Sequence, residues 1–192
     1  MAEKIHSTND ITKYLTEYKK ICASIVNGNK TLIIKIKPPN LSEEITESLA
    51  CKLINNGTIL SDKYGENARA ERFGKSGCDI VVNDLYKIEC KGTTSLDGFV
   101  SVTKTNLFER DAWIWLDFQP FIHKNSSIVE IHIIHKPNEC IKPRKIEANG
   151  ESKITMRTAI KDAIEVHSYQ FYELSTHTMG IKANTGPHKL II

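Results

Sequence analysis

The chain has 192 residues, 40% of them hydrophobic and 26% charged, with a formal net charge of +3 at pH 7. That balance suits a globular protein with a full core and excludes a disordered, strongly charged chain; the slight basicity is compatible with a nucleic-acid partner without requiring one. The five cysteines, Cys22, Cys51, Cys78, Cys90 and Cys140, are odd in number and contain no Cys-x-x-Cys pair, which argues against a disulfide scaffold or zinc ribbon and for a reducing, cytoplasmic setting. No long apolar run opens the chain and no window approaches a membrane span, so neither a secretory leader nor membrane insertion is expected.

In chain order, Ile11, Tyr14, Leu15, Tyr18, Ile21, Cys22 and Ile25 recur at helical spacing and predict an amphipathic helix over 8–27, with Asn27-Gly28 as its stop. Thr31 to Lys37 reads as a strand, broken by Pro38-Pro39. Asn40 and Glu43 have the spacing of a capping box, and a second helix follows to about Asn55. Its main apolar stripe is Leu41, Ile45, Leu49 and Leu53; Glu43, Glu47, Ala50 and Ile54 form a second row. The polar stretch Ser61–Gly77 reads as a loop, and Cys78–Val82 and Leu85–Lys91 as a strand hairpin. A loop over Gly92–Gly98, a short helix over Thr105–Ala112, and strands over Trp113–Phe118 and Ile128–His135 come next. Pro137–Gly150 is a basic connection, and Ile154–Leu174 reads as a helix, although Val166, Tyr169 and Tyr172 also fit a strand. The alternation predicts an α/β fold with a mixed sheet.

Chemistry concentrates between Asp79 and Lys91. Glu89 and Lys91 are two apart on one strand and share a face, while Ile88 and Cys90 point the other way. The orientation of Asp79 depends on the hairpin register. A two-residue loop at Asn83-Asp84 would set Asp79 opposite Ile88; a three-residue loop, Asn83 to Leu85, pairs Val82 with Tyr86, Ile80 with Ile88, and Asp79 with Glu89. Only the latter separates apolar from charged residues, because a one-residue slip inverts every side chain. Two converging carboxylates suit a hard cation such as Mg²⁺, which can activate water and neutralise phosphate charge, and an adjacent lysine can orient that water or stabilise developing charge. Acid-x-Lys alone is common on solvated strand faces; the preceding Gly77, the following Gly92-Thr93 and the acidic helix upstream add weight.

These residues resemble the PD-(D/E)XK nuclease superfamily, the restriction-endonuclease-like fold. Asp79 matches the first acid, Glu89 the second and Lys91 the lysine; Ser76-Gly77-Cys78-Asp79 stands where the nominal motif has Pro-Asp, and Ile88-Glu89-Cys90-Lys91-Gly92-Thr93 is similar to the wording of many restriction and repair members. The resemblance covers roughly 40–135. It implies one nuclease domain over 1–192 with a central mixed β-sheet flanked by helices, to which helix 8–27 and the region 140–192 are additions. It further implies Mg²⁺, with Mn²⁺ as substitute, held by Asp79, Glu89 and the main-chain carbonyl of Cys90. Lys91 would assist the attacking water, and Glu47 would supply a further acid from the upstream helix, with Glu43 one turn earlier. The implied activity is DNA phosphodiester hydrolysis, expected of a sequence-specific restriction endonuclease acting as a homodimer on double-stranded DNA. A junction resolvase, a repair nuclease, or a non-catalytic DNA-binding protein of the same fold are the alternatives.

Positive side chains that could meet phosphates are Arg69, Arg72 and Lys75 before the site, Lys104 after it, and Lys142, Arg144 and Lys145 in the basic connection, with Lys153 and Arg157 beyond. No phosphate-loop motif is present, so no nucleotide cofactor is expected. His132 and His135, three apart on a strand, face opposite sides and make a poor metal pair, and Trp113 and Trp115 are expected to pack under a helix.

Overall fold

The computed structural model describes residues 7–34, 36–57, 59–71, 77–94, 99–103, 109–123, 128–140, 151–155, 165–172 and 180–183. Helix α1 spans Thr8–Gly28 and starts on a capping box: Ser7 Oγ accepts from the Asp10 N–H at 3.1 Å, and the Asp10 carboxylate accepts from the Ser7 N–H at 3.3 Å. Ile11, Leu15, Tyr18 and Cys22 are its buried stripe, while Ile21 is half-exposed. No helix among the described residues is long and apolar enough to cross a membrane.

The strand expected over Thr31–Lys37 is absent from the described residues there. The Asn29 amide brackets Ile36, accepting its N–H at 2.8 Å and donating to its carbonyl at 2.7 Å, so the chain turns, and Leu32, Ile33, Ile34 and Ile36 are exposed. The β-branched run raises strand propensity, but propensity needs a partner strand and a face to bury, and this segment has neither.

Helix α2 covers Glu43–Asn55, and its cap is Ser42 rather than Asn40. The Ser42 N–H donates to the Tyr14 hydroxyl at 3.0 Å. That bond from α1 fixes the backbone where α2 begins and displaces the expected capping box. Ile45, Leu49, Ala50, Cys51, Leu53 and Ile54 bury the helix against the sheet.

The stretch expected as a loop after α2 is partly ordered into a one-turn helix α3, Ser61–Tyr64, and a strand β1, Ala68–Ala70. Asn55 templates β1 by accepting the Ala68 N–H at 2.6 Å and donating to its carbonyl at 3.0 Å. Strands β2 (Ile80–Val82), β3 (Tyr86–Thr93), β4 (Phe99–Thr103) and β5 (Ala112–Asp117) follow, then helix α4 (Gln119–His123), strand β6 (Ile128–His135) and helix α5 (Pro137–Cys140). Three more strands complete the described chain: β7 (Glu151–Thr155), β8 (Glu165–Tyr172) and β9 (Gly180–Ala183).

The seven-stranded sheet has the order β1-β2-β3-β5-β6-β8-β9, and β4 pairs with β7 in a separate ribbon. Only β3 and β5 run parallel; every other pair in the sheet is antiparallel, so the sheet is mixed and the fold is α/β. Three further expectations are corrected. Of the helix expected over Ile154–Leu174, residues 156–164 and 173–174 lie outside the described residues, and the rest is the end of β7 and the whole of β8, where Val166, Tyr169 and Tyr172 fit a strand. Gly92 and Thr93 extend β3 rather than open a loop. Of the helix expected over Thr105–Ala112, residues 104–108 lie outside the described residues, 109–111 are not helical, and Ala112 opens β5, whose six residues are all buried.

Alternation along the strands gives the sheet two different faces. Ile88 and Cys90 on β3, Ala112, Ile114 and Leu116 on β5, and Val129, Ile131 and Ile133 on β6 join the core beneath α1 and α2. The opposite face carries Glu89 and Lys91, Trp113, Trp115 and Asp117, and Ile134, His132 and Glu130. The two tryptophans are therefore buried on the face away from α2, not under it. Gly92 marks the closest approach of α2 to β3: a Cβ there would lie 2.4 Å from Thr46 Cγ2 and 3.3 Å from Leu41 Cδ2. Gly92→Ala is expected to destabilise the protein by about 1–3 kcal/mol through overpacking. In a Thr46→Ser background, where the nearest methyl is gone, the loss in urea unfolding should shrink markedly; equal losses in both backgrounds would show that this contact does not limit the packing.

Candidate active site

The β2–β3 connection is the odd-length one. Val82 pairs with Tyr86, Val81 with Lys87 and Ile80 with Ile88, leaving Asn83, Asp84 and Leu85 as the loop. Asn83 and Asp84 take positive φ, 51° and 58°, a region in which Asn and Asp are the most tolerant residues after glycine. Leu85 is exposed at the tip. Asp79 lies immediately before β2, and its carbonyl accepts the Glu71 N–H at 2.8 Å, which extends the β1–β2 pairing to the mouth of the site.

Asp79, Glu89 and Lys91 meet. Asp79 Oδ2 accepts from the Cys90 backbone N–H at 2.8 Å and from Lys91 Nζ at 3.1 Å. Lys91 Nζ lies 2.6 Å from Glu89 Oε1. One ammonium thus joins both acids at the point where the register places them opposite each other. The Glu89 side chain is 4% exposed, against 23% for Asp79 and 28% for Lys91, so the site is open on the Asp79 side and closed behind Glu89.

Behind Glu89 stands Arg110, which the sequence reading did not single out. Its Nε lies 3.2 Å from Glu89 Oε2, its side chain is fully buried, and its other nitrogens donate to the carbonyls of Gly77 and Glu109. Asp111 positions it. The Asp111 N–H donates to the Lys87 carbonyl at 2.9 Å, and the Asp111 carboxylate accepts the Lys87 N–H at 2.8 Å, which locks the start of β5 beside β3. Gly77, at φ 61°, turns its carbonyl toward the guanidinium in a conformation that favours glycine. The available signal for Arg110 was the charged triplet Glu109-Arg110-Asp111 directly before the apolar strand β5.

The electrostatics follow from burial and from these partners. Burial pushes the Glu89 carboxyl above its ordinary value and Asp79 adds to the rise, while Lys91 and Arg110 oppose it. Burial alone would lower Lys91, but Asp79 and Glu89 outweigh it and hold the ammonium more firmly protonated than a free lysine. In this arrangement Lys91 is a proton donor and a positive charge, not a base. Burial pushes the Cys90 thiol well up, with Asp79 and Glu47 adding to the effect, so Cys90 packs as a neutral side chain.

Glu47 is buried on α2, where its charge adds to the burial that pushes Cys51 up to about 12. Its charge is felt at both Cys51 on α2 and Cys90 on β3. Glu43 opens α2, one turn earlier. Arg69 sits on β1, held by Glu71 at 3.0 Å and by Asp84, so it would have to leave two carboxylates to reach a phosphate. Lys153 lies on β7, opposite Ser101. Arg72, Lys75, Lys104, Lys142, Arg144, Lys145 and Arg157 lie outside the described residues.

A second cluster appears two strands away. Potential ligand atoms of Asp117, Glu130 and His132 all lie within 4.8 Å of one another. His132 and His135 do face opposite sides: His135 Nδ1 lies 2.9 Å from the Tyr64 hydroxyl, while His132 faces Glu130. Burial lowers the His132 imidazole to about 4, which makes it neutral at pH 7. The sequence signal here was Glu130-Ile131-His132, an i,i+2 pair on one strand face, and only the strand order adds Asp117.

No protein-family model matches the chain, and no curated protein sequence matches it significantly.

Arg110→Ala would leave the Glu89 carboxylate buried with Lys91 as its remaining cation, and is expected to cost about 3–5 kcal/mol of stability. Pairing it with Glu89→Gln should recover part of that loss, because the amide no longer carries a buried charge. A double-mutant cycle by urea unfolding checks this; additivity to within about 0.5 kcal/mol would mean that the two residues do not interact.

Proposed function

We propose that the protein is a metal-dependent endonuclease of the PD-(D/E)XK type that hydrolyses DNA phosphodiester bonds, with sequence-specific restriction as its role. The observation that carries this reading is the convergence of Asp79 and Glu89 on Lys91 at the β2–β3 pair. The acids and the lysine of the resembled motif are brought together by a register that burial alone would select.

The donor set fits a hard divalent cation. Two carboxylates, one just before β2 and one on β3, with the main-chain carbonyl of Cys90 between Glu89 and Lys91, offer the oxygen ligands that Mg²⁺ prefers, with Mn²⁺ as substitute. When bound, such a cation supplies positive charge at the scissile phosphate and makes a nearby water more acidic. The rest falls to the chain. The Cys90 N–H fixes Asp79 through Oδ2. Arg110 holds Glu89 from behind, so that this acid is oriented before any substrate arrives. Lys91, kept protonated by its two neighbours, offers an N–H to a phosphate oxygen or to the attacking water and stabilises the negative charge that builds up at phosphorus. Glu47, buried on α2 and close enough to raise the Cys90 thiol, would add a further acid beside the pair. Action on both strands of a duplex palindrome would need two copies of the chain, one site for each strand.

The test uses purified full chain with supercoiled plasmid. Cleavage should require Mg²⁺ or Mn²⁺ and stop on chelation. Asp79→Asn and Lys91→Met should each lower the rate by roughly 10²–10³-fold while keeping a native circular dichroism spectrum. Lys91→Met should also bind Mn²⁺ at least as tightly as the wild type, since the ammonium that shares the carboxylates is gone. Sequencing the ends of digested phage DNA should show one fixed motif. Wild-type protein that leaves DNA intact with both cations would sink the nuclease reading; ends without a fixed motif would remove the restriction role alone.

A further inference from the structure

We propose that Asp117, Glu130 and His132 form a second metal site, built for a transition cation of the Zn²⁺ class and separate from the Asp79–Glu89 pair. The sheet register builds it. Asp117 on β5 pairs directly with Glu130 on β6, and Trp115 with His132, so Asp117, Glu130 and His132 share one face at the C-terminal end of β5. Their donor atoms lie within 4.8 Å of one another, and His132 Nε2 is 3.8 Å from Glu130 Oε2. That is wider than two ligands on one tetrahedral zinc. Glu130 can close the gap, because its side chain is 42% exposed and free to swing inward.

The sharpest indication is His132. It is 4% exposed, and neither of its ring nitrogens has a hydrogen-bond partner among the described residues. A buried polar group without a hydrogen bond is costly and uncommon, and a metal bound to one ring nitrogen would satisfy it. Trp115, next to His132 in the register, has an indole N–H that is likewise buried without a partner among the described residues. Asp117 is already oriented: its Oδ1 accepts the Gln119 N–H at 2.8 Å, at the start of α4. A carboxylate held by a backbone donor, beside an unsatisfied imidazole, is the arrangement that positions metal ligands.

The ligand chemistry selects the cation. Imidazole nitrogen suits zinc and its neighbours in the transition series, whereas Mg²⁺ takes oxygen donors and sheds its waters reluctantly. Two carboxylates and one imidazole leave a fourth position for water. The half-exposed Glu130 supplies the route in from solvent. A cation here would cross-link β5 to β6, the two strands at the centre of the buried sheet. The proposal does not depend on the nuclease reading. Asp79 precedes β2 and Glu89 lies on β3, and Trp115 intervenes between Lys91 and His132 in the register.

The experiment is a Zn²⁺ titration of the chelator-stripped full chain by isothermal calorimetry, repeated with Co²⁺ and followed by visible absorption. Wild type should take up Zn²⁺ at a site that millimolar Mg²⁺ does not displace, and Co²⁺ should give the intense absorption of a low-coordinate site. Glu130→Gln and His132→Gln should each weaken that binding by more than about 100-fold, since even residues that merely support a ligand are worth roughly 10–100-fold. Asp79→Asn should weaken it far less than either ligand substitution does, since it removes a neighbouring charge and no ligand. Glu130→Gln, at a half-exposed position, keeps the test valid should His132→Gln fail to fold. Zn²⁺ binding that survives Glu130→Gln undiminished, binding lost in Asp79→Asn, or no binding by wild type would each overturn the proposal.

Discussion

Three residues, Asn83 to Leu85, separate the paired Val82 and Tyr86, and the sidedness of the first three strands follows from that count. With the odd loop, Ile80, Val82 and Ile88 enter the core beneath α2, and the acids and Lys91 come to the opposite side or to the strand mouth. A loop shorter by one residue would set Asp79 opposite Ile88 on the apolar face, away from Glu89, at the cost of burying an unpaired carboxylate. The positive φ angles of Asn83 and Asp84 are what let the loop close at this length. Hydrophobic burial therefore selects the register, and the register then assembles the charged site as a consequence.

Assembling the site requires burying charge, and the structure handles this by enclosure. Glu89 is buried to the same degree as core aliphatics, yet one of its oxygens meets Lys91 and the other meets Arg110. Arg110 is in turn anchored by main-chain carbonyls and by the Asp111–Lys87 latch. An arrangement of this kind adds little net stability compared with an apolar one, but removing one member is expensive because it strands the rest. Such residues are retained for orientation. Glu89 is fixed from behind by Arg110, whereas Asp79, on the open side, is fixed through backbone, which leaves the solvent side of the pair for a ligand.

Much of this was legible in the sequence. Helices α1 and α2, the β2–β3 register and strands β5 and β6 follow from apolar periodicity, because each buries one face and periodicity records burial. The errors have physical causes too. Thr31–Lys37 has strand composition but pairs with no strand among the described residues, and pairing is a non-local fact. Ile154–Leu174 carries apolar residues that fit both periods, and β6 decides the matter by hydrogen-bonding to β8. Asn40 lost the cap of α2 to Ser42 because a hydroxyl from α1, 28 positions away, holds the Ser42 backbone. The part played by Arg110 is hidden from the sequence for a similar reason. Its function is set by the parallel β3–β5 register, which no local pattern in the sequence contains.

That parallel register also relates the two polar centres. Lys91 pairs with Trp115, which pairs with His132; Thr93 pairs with Asp117, which pairs with Glu130. The two centres therefore occupy one sheet face, with a buried tryptophan between them, at a separation of about two strand spacings, roughly 10 Å. Direct Coulomb interaction over such a span, through the low-polarity material around Trp115, would not be screened as it is in water. A cation held by Asp117, Glu130 and His132 would then add positive potential at the very strand that carries Glu89 and Lys91.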